Sequence, residues 1–250
     1  MKNDIELNSE ARLLRKKWGQ DSETPIDVFA LAGLRPEVTI VNLEMHEDIS
    51  GLCIKDGKSI VIGINSDMSY GRQRYTLAHE LYHGFADNQV VTYVCDKQFA
   101  IEKPDIEKEA DAFASYFLIP YEALIQYADE HAENGWTQET VVCAEQYFQV
   151  SHQAFLIRLI KQGFICDDEY ELLRNISVTR VAVELGFSTK LYRKTADDDK
   201  FSSTGEYIRK IEEAYERNLI GAGKRRELLL DGFSLGVESL VKEGNLVIDD

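Results

Sequence analysis

The alternation of apolar and polar positions predicts helix first, then sheet, then helix again. Ser9–Trp18 reads as a helix, and a second short one is expected from about Pro25 to Leu34, with Asp21, Ser22 and Thr24 offering helix-start chemistry. Three β-like runs follow at Val38–Leu43, Ser50–Ile54 and Ser59–Ile64. Asp56-Gly57 between the last two is a hairpin signal, so the sheet is expected to be small and at least partly antiparallel. From Arg72 to Ala86 the spacing lengthens: Leu77, Leu81 and Phe85 recur every fourth residue and, with Ala78, make one core-facing stripe. A strand is expected at Val90–Val94. Helices follow over Asp105–Leu118, stopped by Pro120, and over Tyr121–His131, Thr137–Phe148 and Ser151–Lys161, the last capped by Ser151.

After Gln162 the chain changes character. An acidic entry (Asp167, Asp168, Glu169), a polar stretch from Thr195 to Ser203 and a helical pair at Thr204–Asn218 and Gly223–Lys242 read as a mainly helical lobe. The expected class is α+β. Residues 1–166 form one domain, with helix-turn-helix-like helices at about 137–163, and residues 167–250 form a C-terminal lobe.

Composition narrows the function. The chain has 250 residues, 44% apolar and 29% charged, enough for a sizeable core. No apolar run approaches the roughly 18 residues needed to cross a bilayer, and residues 1–20 lack the layout of a secretory signal, so the cytoplasm is the expected compartment with no membrane partner. A net charge of −16 argues against direct nucleic-acid binding, which draws affinity from neutralised phosphates, and suits a basic protein partner. His152, Arg158 and Lys161 are too sparse a basic set to reverse that. Cys53, Cys95, Cys143 and Cys166 lack any C-x-x-C spacing and read as reduced, partly buried thiols.

The chemistry concentrates at His79-Glu80-Leu81-Tyr82-His83, an H-E-x-x-H pattern inside a predicted helix. At ~100° per residue the two histidines lie about 40° apart and one turn along the axis, so both can reach one ion. Glu80 falls about 60° from His83, placed to work on a water without ligating the ion. With five histidines in the chain, chance would produce the pattern roughly 0.01 times, which makes a helix with two unrelated histidines a poor account.

A third ligand is due from the next helix, where Glu107 and Asp111 are i and i+4 on one face. One can ligate while the other holds a histidine's free N–H. Glu109 points about 200° away from Glu107 and reads as a solvated residue. Tyr82 and Tyr116 can donate to an oxyanion but read first as packing residues. His46, His131 and His152 have no neighbours that make them ligands.

Residues 72–87, RQRYTLAHELYHGFAD, and 107–120, EKEADAFASYFLIP, resemble the two signature segments of the ImmA/IrrE family of metallopeptidases. The resemblance covers roughly residues 25–163. It implies a zincin-like core resembling the gluzincins, Zn2+ held by His79, His83 and Glu107, Glu80 as catalytic acid/base, and Asp111 at the acidic position of E-x-x-A-N/D. It also implies a regulatory, site-specific endopeptidase that cuts a partner XRE-type helix-turn-helix repressor or an antitoxin, in the setting of transcription regulation, toxin–antitoxin pairs or mobile elements. The alternative is a non-proteolytic, metal-binding regulator that sequesters its partner.

Overall fold

The computed structural model describes residues 2–57, 59–85, 92–96, 104–196 and 200–232. The parts of the expected elements at residues 86, 90–91 and 233–242, and the aspartates at 197–199, lie outside the described residues.

The chain starts with α1 (Asp4–Lys17), five residues earlier than expected, because Asn3 and Glu6 form a reciprocal capping box. Leu7, Ala11 and Leu14 face the core. Arg15 is buried too, and its guanidinium donates to the carbonyl oxygens of Asp21, Thr24 and Phe117, pinning the following loop. The second helix, α2 (Val28–Gly33), is shorter than expected. Asp27 caps it, while Asp21 folds back onto the N–H groups of Glu23 and Thr24 and starts no helix.

The strands β1 (Val38–Leu43), β2 (Ile49–Asp56) and β3 (Ser59–Asn65) follow the expected runs closely. β2 and β3 form the antiparallel hairpin, with Asp56 opposite Ser59 and Gly57 at φ 57° in the turn. β3 also pairs in parallel with β1, Val38 opposite Ile60, so the sheet is mixed. Its order is β4-β2-β3-β1-β5, with β4 (Thr92–Asp96) and β5 (Ser202–Ser203) at the edges. Ile60, Ile62 and Ile64 alternate inward along β3.

Across that buried face runs α3 (Tyr70–Phe85), with Leu77, Ala78 and Leu81 fully enclosed. Next comes α4 (Asp105–Leu118), which packs on both α3 and α1. The helices α5 (Tyr121–His131), α6 (Gln138–Phe148) and α7 (His152–Lys161) complete the first part of the chain. The turn between α6 and α7 lies hard against α3: a Cβ on Gly71 would meet the Ser151 nitrogen at 2.8 Å. Arg74 donates to the Gln149 carbonyl at 2.8 Å. The whole is α+β.

Two short helices beyond Cys166, α8 (Asp167–Leu173) and α9 (Val178–Glu184), precede a 3-10 turn at Lys190–Tyr192. Val181 and Ala182 of α9 pack on Val142 of α6. The Tyr70 N–H donates to the Arg193 carbonyl, and Gln73 donates to Thr195 Oγ1 at 2.8 Å. β5 pairs with β1, and α10 (Gly205–Glu216) and α11 (Ala222–Gly232) follow. The chain beyond residue 166 therefore contributes a sheet edge and a brace on α3. Among the described residues no helix is long and apolar enough to cross a membrane.

Candidate metal centre

One turn of α3 sets His79 and His83 side by side, with Nε2 of one 3.3 Å from Nε2 of the other. From α4, the Glu107 carboxylate reaches across both, Oε2 at 3.2 Å from His79 Nε2 and Oε1 at 3.3 Å from His83 Nε2. The three groups offer ligand atoms that all lie within 4.8 Å of one another. His79 and His83 are 5% and 1% exposed, so bulk water does little to screen what they face. Burial alone would raise the Glu107 carboxyl, but the hydrogen bonds and charges of His79 and His83 hold it well below the usual carboxylate range.

Asp111, one turn beyond Glu107, places Oδ1 3.0 Å from His79 Nδ1. An ionised carboxylate can only accept, so Nδ1 of His79 carries a proton, and in the neutral imidazole the lone pair is on Nε2. That lone pair points at a second imidazole nitrogen and a carboxylate. Lone pairs so opposed need positive charge between them, supplied by protons on the rings or by a metal ion. For metal–ligand bonds of about 2.0–2.1 Å, the edge of a coordination tetrahedron is about 3.3 Å, which is the spacing of the two histidine nitrogens. The donor set of two imidazoles and a carboxylate fits a divalent metal.

Glu80 is fully buried beside this pair. Its position depends on Gly51 in β2, where an added Cβ would lie 2.6 Å from Thr76 Cγ2 and 2.9 Å from both Glu80 Oε1 and the Gly63 carbonyl. Sequence reasoning missed Gly51, although a glycine inside a strand pattern commonly marks close approach by another group. Tyr75, which flanks the core face of α3 on the side nearer the histidines, donates its hydroxyl to the Asp111 carbonyl at 2.7 Å and ties α3 to α4.

Glu109 corrects the expectation of a solvated side chain. It is 8% exposed and accepts from the Tyr82 hydroxyl and the Lys2 N–H, each at 2.6 Å, because the start of α1 covers that face of α4. Tyr82 is thereby directed at Glu109, and Tyr116 lies under the Arg158 guanidinium at 4.0 Å. His46 and His131 are exposed. His152 is held by Glu145, away from the other histidines. Cys53 is buried; burial and then the nearby Glu80 charge push its thiol up to about 12, so it stays protonated. Cys143 is half-buried, Cys166 is exposed, and the side chain of Cys95 lies outside the described residues.

A helix carrying two histidines one turn apart, a carboxylate from the next helix and a glutamate beside them, all on a small sheet, define a metallopeptidase-type centre. Residues 37–160 match the model of the Peptidase_M78 family, described as an IrrE N-terminal-like domain, so this part of the chain is a domain of the ImmA/IrrE family of metallopeptidases. The match spans strands β1 to β4, α3, α4 and the helices α5 to α7 as far as residue 160. No curated protein matches the chain.

Proposed function

We propose that this protein is a zinc-dependent endopeptidase that cuts a partner helix-turn-helix repressor or antitoxin in the cytoplasm. The observation that carries the reading is the meeting of His79, His83 and Glu107 on one point beside the buried Glu80. Zinc suits a site of two imidazoles and one carboxylate, which leaves a fourth position for solvent or substrate. Bound there, the ion supplies Lewis acidity that activates water and polarises the scissile carbonyl. Glu80 takes the proton of the attacking water and passes it to the leaving amine. Asp111 holds His79 in one tautomer and orientation throughout. Residues 1–166 provide all of these groups, and the later chain braces α3 from behind. The acidic balance of −16 suits a basic, DNA-binding substrate.

The test mixes metal-loaded protein with a helix-turn-helix repressor encoded beside it and reads fragments by mass spectrometry. Cleavage at one bond, stopped by chelator, is expected. Glu80→Gln should keep one metal per chain and lose at least a hundredfold in turnover, the usual worth of a general base. A stable complex that stays uncut with metal present would favour the sequestering regulator instead.

A further inference from the structure

On the side of His79 turned away from Glu107, a cavity of about 190 Å3 opens between α3, α4 and α7. It shares a wall with the metal centre, because Asp111 both lines it and bonds His79 Nδ1. Two cations face it, Arg72 from α3 and Lys161 from α7, and one anion, Asp111, which bonds His79 and whose charge also acts on Arg72, so one positive charge is left in excess among these three groups. Ser115 and Gln153 add uncharged hydrogen-bonding groups, and Ile157 an apolar wall. Arg72 is half-buried, one guanidinium nitrogen 3.4 Å from Ser50 Oγ, while Lys161 is exposed at the rim.

The volume is below the roughly 300–1,000 Å3 of pockets that take whole small ligands. It is a space for one side chain or chain end. In a chain of net charge −16, acidic peptides are repelled at long range, so any preference for them must come from local cations inside a Debye length of about 8–10 Å. A half-buried guanidinium is the group best matched to a carboxylate, through paired N–H donors.

We infer that this cavity is a specificity subsite of the peptidase proposed above, taking a peptide carboxylate between Arg72 and Lys161. The carboxylate is either an acidic side chain near the scissile bond or a free C-terminus. The inference rests on that functional reading for its peptide ligand.

Binding is measured on full-length, zinc-loaded Glu80→Gln protein, which holds peptide without turning it over. The probes are two end-blocked alanine peptides that differ only in a central glutamate or glutamine, and a third with a free C-terminal carboxylate. The glutamate peptide is expected to bind about tenfold tighter than its glutamine twin, as a charge-assisted bond would give. If the advantage falls to the third peptide, the carboxylate recognised is the chain end. Lys161→Glu, at an exposed position, should erase or invert the advantage, and Arg72→Gln should erase it with the helical circular dichroism unchanged. Equal binding of all three peptides, no binding of any, or an advantage that survives both substitutions overturns the subsite. Carboxylate-selective binding by a wild-type protein that cuts no peptide would leave the subsite standing and remove the peptidase; cleavage without acidic preference would do the reverse.

Discussion

His79 and His152 each sit on a helix beside a carboxylate partner, yet only the first is placed for metal chemistry. His79 donates from Nδ1 to Asp111 and turns a lone pair toward His83 and Glu107. His152 faces Glu145 Oε1 at 2.5 Å with Nδ1 and the Leu173 carbonyl at 3.0 Å with Nε2. A carbonyl only accepts, so Nε2 carries a proton, and the Nδ1–Glu145 contact holds a second. The other Glu145 oxygen receives the Tyr192 hydroxyl at 2.8 Å. Both ring nitrogens are used up inside the protein, and no second imidazole approaches. The lesson is that burial beside a carboxylate does not make a ligand; an outward lone pair that meets others does. The second cluster instead joins α6, α7, α8 and the 3-10 turn around one enclosed carboxylate.

The comparison is broken most directly at Glu145. Glu145→Ala strands a half-buried histidine inside the helix cluster and should cost about 3 kcal/mol in denaturant melts, on the order of losing one partner of a largely enclosed pair. Metal content should not change; a variant that loses metal would join the two clusters. Asp111→Asn is the mirror experiment. It should weaken metal binding 10- to 100-fold in chelator competition, on the order of what outer partners of ligating histidines contribute. The melting temperature of the metal-free protein should hardly move.

Gly51→Ala is expected to be milder. The new methyl displaces Glu80 or Thr76 and presses β2 off the Gly63 carbonyl of β3, so turnover should fall about tenfold while metal stays bound, since small misplacements of a reacting group are felt in rate first. Equal turnover would mean that β2 yields freely. The smallest effect lies in pH. Burial lowers the His152 value, but the Glu145 hydrogen bond and charge outweigh it and the net shift is upward; burial raises Glu145 as well. Both shifts mean that the folded cluster binds its proton more tightly than the unfolded chain does. The His152 part of the stabilisation is therefore complete below the unfolded histidine value of 6.5 and is lost as pH rises through the folded one, while the raised Glu145 adds its own part only toward the ordinary glutamate value of 4.5. Metal affinity runs the other way, because imidazoles must shed protons to ligate. Melts of metal-free protein on both sides of that value, with His152→Gln as the reference, measure the slope; a rise in stability with pH would refute the assignment.

The meeting of His79, His83, Glu107 and Asp111 is legible because its signals are local. A one-turn spacing puts His79 and His83 together whatever surrounds them, and Glu107 and Asp111 share a face of α4 for the same reason. Strand β1 and helices α4 and α5 keep the limits that their apolar runs and prolines set. What escaped depends on partners distant in sequence. Glu109 looked solvated because a helical projection cannot show that Lys2 and Tyr82 cover it. Glu145 and His152 lie on different helices, and nothing in either helix announces Tyr192 or Leu173 as partners. The short α8 and α9 have too few turns for a periodic signal. The start of α1 was different: Asn3 and Glu6 carried a capping box that the apolar stripe beginning near Ser9 overshadowed.

Strand β1 obtains its outer neighbour very late. The Ile40 N–H donates to Thr204 Oγ1, a contact spanning 164 residues. A ribosome releases β1 long before the serines that cover it, and throughout that interval the strand offers bare amides to any passing chain. A fragment cut at residue 166 would carry that exposure permanently. It should precipitate on expression even though it keeps His79, Glu80, His83, Glu107 and Asp111.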